Sequence, residues 1–374
     1  MKNRRNFIKG LGAAGLIGST LVKPNMLFSQ NVDSKLNLKG SNTLPFPVNV
    51  SEDRVIRTAV GLRPYRPSGY LIKKEKIGEK EIIHNYGHGG GGISLSWGTA
   101  TLAVNMISAV QASKIAVLGC GVIGLSTAIL LQRRGFQVTI YSKQLPPDTV
   151  SNVAGALWAP VSVFEPSQVD SKFIEQFNNA SQISQRMFQD LVGERYGVWW
   201  IKNYFLGGGF RFPGGKNLYP GFKEYGKGLF DYSKVEEINT LMIEPPIYLN
   251  SLLDDFYRAG GEIKIVDFRT TQELMSLEEA VIMNCTGLGS KKLFNDSSLT
   301  PVKGQLSVLL PQPEIDYSYI VSSHDKLLYM FPRKDGIILG GTSEKGNWSL
   351  DPSEEESSRI IKGHSAISEY LKKS

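Results

Sequence analysis

The architecture turns on Lys114-Ile115-Ala116-Val117-Leu118-Gly119-Cys120-Gly121-Val122-Ile123-Gly124. Its first five residues form a short apolar run, which suits a strand buried on both faces of a parallel sheet. Gly119, Gly121 and Gly124 follow at the spacing GxGxxG. Leu125 to Arg134 then carries a helical pattern, Gly135 closes it, and Phe136 to Tyr141 reads as the next strand. Each glycine has its own reason. Gly119 makes the tight turn, Gly121 lets a pyrophosphate approach the backbone, and Gly124 lets the helix pack closely on the strand. The first N–H groups of the helix then face the phosphates. The unit predicts an α/β fold that binds a dinucleotide through Gly119, Cys120, Gly121, Val122, Ile123 and Gly124.

The second strand ends Ile140-Tyr141-Ser142-Lys143, without the carboxylate that would bind the ribose of NAD. Lys143 suits the 2′-phosphate of NADP, the adenosine of FAD, or solvent alone. The chain has 374 residues, 41% hydrophobic and 21% charged, enough for a two-part enzyme with a large core. Part of its net charge of +7 comes from Lys2, Arg4, Arg5, Lys9 and Lys23, in a segment without acids. The remainder is scattered, which argues against a nucleic-acid surface. Two cysteines, Cys120 and Cys285, build no disulfide framework and read as buried thiols. No sequence feature specifies an oligomer.

Arg4-Arg5-Asn6-Phe7-Ile8-Lys9 resembles a twin-arginine export motif. The weakly apolar stretch from Gly10 to Val22 behind it is too short to span a bilayer. Residues 1–32 are therefore expected to be an export signal, cleaved between Asn25 and Val32, for the twin-arginine machinery. An ordinary secretory signal or a basic helix is the alternative. Residues 33–50, with Gly40, Pro45 and Pro47, read as a linker. The expectation is a periplasmic protein without a membrane anchor.

Further motifs lie on both sides of the fingerprint. Gly61-Leu62-Arg63-Pro64-Tyr65-Arg66-Pro67 and His84-Asn85-Tyr86-Gly87-His88-Gly89-Gly90-Gly91-Gly92 precede it. Thr149-Val150-Ser151-Asn152-Val153-Ala154-Gly155-Ala156-Leu157-Trp158-Ala159-Pro160, Asn284-Cys285-Thr286-Gly287, Leu339-Gly340-Gly341-Thr342 and Gly346-Asn347-Trp348-Ser349 follow it. Together they resemble the D-amino-acid oxidase family, over about residues 52–374. The resemblance implies FAD as cofactor. It implies a Rossmann-like FAD-binding domain plus a mixed-sheet, α+β substrate domain. Beside the fingerprint, it assigns flavin contacts to Ser142, Lys143, Thr149, Val150, Ser151, Ala156, Leu157, Thr286, Gly287, Gly89, Gly90, Gly92, Ile93 and Ser94.

The order of the motifs departs from the family, in which the fingerprint opens the chain and the arginine and glycine-rich motifs close it. Here residues 93–110 read as the family's last helix, and Gln111 to Ser113 join it to the first strand. The chain stops in a helical segment, Glu354 to Lys373. A circularly permuted fold is expected, since adjacent termini can be linked by a short loop. The segment near Tyr370 should then lie beside the one near Arg54. The parts become 51–92 (the displaced family C-terminus), 93–160 (FAD-binding core), 161–255 (substrate domain), 256–300 (FAD-binding) and 301–374 (substrate sheet and lid).

The activity implied is oxidative deamination of D-amino acids with oxygen as acceptor. Arg63 would clamp the substrate carboxylate with its guanidinium fork. Tyr329 would be the second anchor, and the Gly90 carbonyl would accept the amine. The resemblance requires no acid or base side chain if hydride leaves Cα of a neutral amine. The N–H groups of Ile93 and Ser94, with their helix dipole, would stabilise the reduced flavin. Arg66 reads as structural. His84 and His88 have the spacing of a metal pair, but Gly87 interrupts any helix there and no further ligand completes a set. Ser322 to Leu328, with His324, reads as a shortened lid over an open site. Ala159, Val161, Phe331 and Ser322 or His324 would line a pocket for neutral side chains. An acidic substrate would call on Lys326, Arg333 or His324. The alternatives are a D-aspartate or glycine oxidase, a dehydrogenase with another acceptor, and a flavin-binding protein without turnover.

Overall fold

The structure, a computed structural model, describes residues 44–107, 113–323 and 326–373. The expected export signal, residues 33–43 of the expected linker, Gln111 and His324 lie outside the described residues. In chain order the strands are β1 (Val55–Tyr65), β2 (Leu71–Ile77), β3 (Lys80–Tyr86), β4 (Lys114–Leu118), β5 (Gln137–Ser142), β6 (Val198–Leu206), β7 (Lys223–Tyr225), β8 (Val235–Ile243), β9 (Glu262–Ile265), β10 (Val281–Asn284), β11 (Thr300–Leu309), β12 (Tyr317–Ser323), β13 (Lys326–Arg333), β14 (Gly336–Gly340) and β15 (Glu344–Lys345). The helices are α1 (Gly92–Val104), α2 (Val122–Arg133), α3 (Ser171–Asp190), α4 (Pro245–Arg258), α5 (Thr271–Leu274), α6 (Ser290–Leu293) and α7 (Glu354–Lys373).

The first sheet runs β2-β3-β10-β4-β5-β9, parallel from β3 to β9 with β2 antiparallel at the edge. All of β10, and β4 beyond Lys114, is buried, as an apolar run in a covered parallel sheet should be. Helices α1, α2 and α4 cover one face and contribute Trp97, Leu125, Leu131, Leu249 and Phe256 to the main core. α2 starts at Val122, inside the fingerprint, because Gly121 is the last extended residue (φ −77°, ψ −177°). α1 ends at Val104, short of the expected residue 110.

The second sheet has nine strands in the order β1-β11-β14-β13-β12-β6-β8-β7, with β15 on β11. Side chains alternate between its faces with the period of a strand. Leu328 and Met330 of β13 join Ile360, Ile367 and Leu371 of α7 on the back. Tyr329 and Phe331 face Leu157, Leu306 and Val308 on the front. Residues 51–92 therefore divide: β1 extends the mixed sheet, while β2 and β3 extend the parallel one. Both sheets belong to one compact unit.

Two expectations change and a third is met. Residues 44–50 are not linker. Val48 is buried, the Tyr317 hydroxyl donates to Phe46 O (2.8 Å), and Gln312 bonds both Asn49 N–H (2.7 Å) and Asn49 O (3.0 Å). The prolines exclude a strand there, and side chains supply the partners instead. Second, the described part of Ser322 to Leu328 is strand and not loop: Ser322 pairs with Leu327 and Ser323 with Lys326, at the ends of β12 and β13. Third, the C-terminal helix leans on the start of the described chain. Ser365 Oγ donates to Val50 O (3.3 Å), Ser368 Oγ donates to Val48 O, and Val55 and Tyr370 share one apolar cluster. The segments around Arg54 and Tyr370 are thus neighbours.

Candidate active site

The site grows from the strand ends of the parallel sheet, where an α/β crevice forms. Gly119 has φ +101°, and a Cβ there would stand 2.7 Å from the Cys285 carbonyl oxygen. A Cβ on Gly124 would overlap the Gly119 carbonyl. The Cys120 N–H donates to Ser142 Oγ and the Val122 N–H to Ser151 Oγ, both at 3.1 Å. The end of β5 and the loop at 149–153 are thereby gathered at the α2 N-terminus. In that loop Thr149 Oγ1 donates to Asn152 Oδ1 (2.8 Å), while the buried Asn152 Nδ2 has no partner among the described residues. Lys143 and Val150 are exposed.

The turn after β10 closes the other side. Asn284 Oδ1 accepts from the Thr286 N–H (3.2 Å) and from Thr286 Oγ1 (2.8 Å), and Gly287 takes φ +56°. A third wall is the glycine run. Gly89 takes φ +56° against Ser162, and the Gly90 N–H donates to Ser162 O (3.0 Å). Ser94 Oγ accepts from the Ala159 N–H and Ser94 O from Trp158 Nε1, both at 3.1 Å. Gly92, Ile93 and Ser94 open α1 and are so stitched to residues 157–162. Gly90 is exposed between buried neighbours, which suits a backbone group offered to a ligand. Ala156 sits at φ +63°, a left-handed conformation that is strained for alanine, just before Leu157.

β1 lies across all three walls. Gly61 faces Val153, Pro64 faces Gly287, and Tyr65 bridges to His88 and meets Gly89. At its end Arg63 Nη1 donates to Thr342 O (3.2 Å). Its guanidinium lies over Gly304, where a Cβ would come within 2.5 Å. No carboxylate pairs with Arg63 among the described residues. Tyr329 stands opposite Gly340 in the sheet. Its ring stacks on Phe331 (5.0 Å between centroids, 20° between planes), and a Cβ on Gly340 or Gly341 would overlap that ring. Gly340 and Gly341 thus form a platform for Tyr329, and the next residue carries the carbonyl that takes Arg63. The sequence showed these motifs but not this join, which depends on cross-strand register. Gly304 gave no signal of its own, and Thr342 stood in a motif without a role.

Several neighbours prove committed elsewhere. Arg333 was expected to be open to an acidic substrate. It is buried and holds Asp335 through Nε (2.7 Å) and Nη2 (2.5 Å), with Nη1 on Ala154 O (3.1 Å). It is thus engaged by Asp335, which Arg57 also meets. His84 Nε2 lies 2.9 Å from Glu75 and Nδ1 2.9 Å from the Asn284 amide, and His88 Nε2 lies 3.0 Å from Thr99 Oγ1. Burial holds His88 down to about 3. No group able to hold a metal is found among the described residues. Burial pushes both thiols, Cys120 and Cys285, up to about 12, so they are inert. Of the expected pocket, Phe331 and Ala159 are buried and Val161 is exposed. A cleft of about 300 Å³ lies apart from this site, lined by Arg66, Glu75, His84 and Asp296. Its charges are paired with one another.

A family model described as FAD dependent oxidoreductase matches residues 114–214 and 216–370. The chain belongs to that family. It is 30% identical to a D-amino-acid oxidase of Rubrobacter xylanophilus over 284 residues, covering 70% of this chain and 78% of the relative. It is 30% identical to a D-amino-acid oxidase of Dictyostelium discoideum, over 67% and 72% of the two chains. It is 31% identical to human D-aspartate oxidase, over 67% and 74%. A glycine oxidase from Geobacillus kaustophilus shares the fold, with a TM-score of 0.51 at 15% identity over 70% of this chain and 80% of that one. The cofactor of this FAD-dependent oxidoreductase is FAD, and the walls fit it. Cβ atoms on Gly119, Gly121 and Gly124 would run into Cys285 O, Ser151 Oγ and Gly119 O, so only glycine allows the tight turn that opens α2 toward a pyrophosphate, and an orphaned amide donor stands in the loop beside it.

Proposed function

We propose that this oxidoreductase oxidises neutral D-amino acids to imino acids, which water converts to 2-oxo acids and ammonia, with oxygen reduced to hydrogen peroxide. The observation that carries this reading is Arg63, a cation without a countercharge beside a tyrosine whose hydroxyl has no protein partner among the described residues. A carboxylate placed there gains a fork of N–H donors and an O–H donor. The exposed Gly90 backbone is the candidate acceptor for the amine. Bound FAD supplies the acceptor for the hydride that leaves Cα.

The residues' own work is to bind and orient. Arg63 and Tyr329 fix the carboxylate, and Gly90 fixes the nitrogen, so that Cα presents one hydrogen to the cofactor. The cofactor would be held by Gly119, Cys120, Gly121, Val122, Ile123 and Gly124 at its phosphates. Ser142, Lys143, Thr149, Val150 and Ser151 would lie along it, and Ala156, Leu157, Thr286 and Gly287 would pack on its rings. The N-terminus of α1, from Gly89 through Gly92 to Ile93 and Ser94, would meet charge that develops on its far edge. The preference for neutral side chains is supported by Arg333, which is buried and already engaged by Asp335 and Ala154 O.

The permuted order is also part of this reading. It is supported by the contacts of α7 with residues 48–55 and by a family match that begins at residue 114, although β1 and β3 lie within the two sheets. A rearranged chain that starts at Ser113 and joins Lys373 to Leu44 by a short linker is expected to fold and load FAD. Export by the twin-arginine route, to the periplasm, remains a proposal resting on Arg4 and Arg5. A panel of D-amino acids scored by peroxide release tests the activity. Anaerobic D-alanine should bleach the yellow protein; flavin that no D-amino acid bleaches would sink the reading.

A further inference from the structure

We propose that His364, together with Arg359, is a positioning residue for the substrate clamp. These two side chains grip the carbonyls of Gly340 and Gly341 and thereby fix the platform under Tyr329 and the carbonyl that takes Arg63. What the clamp binds rests on the function proposed above; the grip itself does not.

Both residues stand on α7, behind the mixed sheet, on the face opposite Tyr329. His364 is fully buried. Its Nε2 lies 2.9 Å from Gly340 O. A carbonyl only accepts, so Nε2 carries the proton. Nδ1 then offers a lone pair, which takes the Tyr319 hydroxyl at 2.6 Å. The partners thus assign the tautomer. Arg359 Nη2 donates to Gly341 O (2.9 Å), and Glu356 holds the same guanidinium through Nε (2.9 Å) and Nη2 (2.7 Å). Two consecutive carbonyls are therefore each held by a side chain that is itself held.

The site has a reason to need this. Tyr329 lies so close to Gly340 and Gly341 that any Cβ would overlap its ring. The platform must be glycine, yet two glycines in a row have the largest backbone freedom of any dipeptide. A clamp holds a ligand well only if its supports are fixed by a second layer of bonds. Arg63 shares the dependence, since its acceptor is the carbonyl of the next residue, Thr342. A leucine at 364 would satisfy the surrounding apolar cluster without the cost of burying an imidazole. The imidazole is what supplies the bond to Gly340.

The test uses FAD-loaded enzyme carrying His364→Leu, His364→Gln or Arg359→Ala. His364→Leu should raise KM for D-alanine about tenfold, the scale of one lost buried hydrogen bond. kcat should stay within about twofold and the bound flavin spectrum unchanged. His364→Gln keeps an N–H donor and should recover KM to within about threefold. Arg359→Ala, partly exposed and easier to fold, should raise KM about threefold. Backbone hydrogen exchange over residues 336–345 should quicken in His364→Leu and recover in His364→Gln. Exchange needs no turnover, so it decides the grip even if the wild type oxidises no D-amino acid, a result that would defeat only the proposed function. Unchanged exchange in both His364→Leu and Arg359→Ala would overturn the grip, as would an active His364→Leu enzyme with wild-type KM.

Discussion

Arg63 and Arg66 stand three residues apart at the end of β1, and the corners they serve are built on opposite plans. Arg66 donates from Nε to Asp296 (2.9 Å) and Ser298 (3.0 Å) and from Nη1 to Gly69 O (2.9 Å). Tyr86 adds its hydroxyl to Asp296 at 3.0 Å, and both charged side chains are nearly covered, at 13% and 12% exposure. Arg63 donates to one carbonyl and faces no carboxylate among the described residues. Each guanidinium has five N–H donors. In the first corner the protein satisfies the charge. In the second no countercharge stands among the described residues. The same residue type in one motif is therefore enclosed by partners at one position and left open at the other, the open one being the proposed clamp, and the difference lies in what surrounds each.

The largest expected effect attacks the closed corner. Arg66→Met leaves Asp296 buried without its partner and should lower unfolding free energy by about 3–5 kcal/mol in a urea titration. Enzyme that remains folded should keep a KM near the wild-type value. Unchanged stability would mean that the Arg66 corner is not the anchor it resembles. Arg63→Ala should do the reverse. kcat/KM should fall about a hundredfold, near 3 kcal/mol, on the scale of lost charge-assisted hydrogen bonds. Unfolding free energy should move by less than about 0.5 kcal/mol, and FAD should stay bound. Loss of the flavin would place Arg63 in the cofactor site and erase the contrast.

How far the sequence could see this follows from the range of each signal. Lys114–Leu118, its glycines and α7 were legible because strand and helix periods are local. Only the resemblance separates Arg63 from Arg66 in the sequence; nothing in GLRPYRP itself marks which arginine meets Asp296, 230 residues away from Arg66. The platform of Gly340 and Gly341 was visible as a motif but not as the seat of Tyr329, because register is set by turns and packing. The segment Ser322–Leu328 read as loop for a similar reason: its strand pairing of Ser322 with Leu327 and Ser323 with Lys326 leaves no mark in a polar sequence. Arg333 looked free because its partner, Asp335, lies only two residues on, across the turn into β14.

A milder change sharpens the open corner without removing its charge. Gly304→Ala places a Cβ where the Arg63 guanidinium now lies, 2.5 Å from Nη2. The end of a long side chain can move, so stability should hold while the clamp loses its aim. KM for D-alanine should rise about tenfold, near 1.4 kcal/mol, with kcat little changed. An unaltered KM would show that the clamp tolerates displacement of Arg63.

The smallest effect separates the corners by pH. Burial alone would raise the Asp296 carboxyl; Ser298, Arg66 and Tyr86 outweigh it and hold the group below its ordinary value. The stability it contributes is therefore complete above the unfolded value and is lost as pH falls through the lower folded one. In Arg66→Met one of the groups that lower it is gone, while Ser298 and Tyr86 remain, so the folded value moves up toward the unfolded one. The variant then has less stability to lose when acid protonates Asp296. The stability gap between wild type and Arg66→Met should narrow as pH falls below the ordinary carboxylate value. Arg63 pairs with no carboxylate, so the gap between wild type and Arg63→Ala should stay flat across the same window. A parallel pair of curves would mean that Asp296 does not depend on Arg66 for its charge, and that the two arginines differ less than their contacts imply.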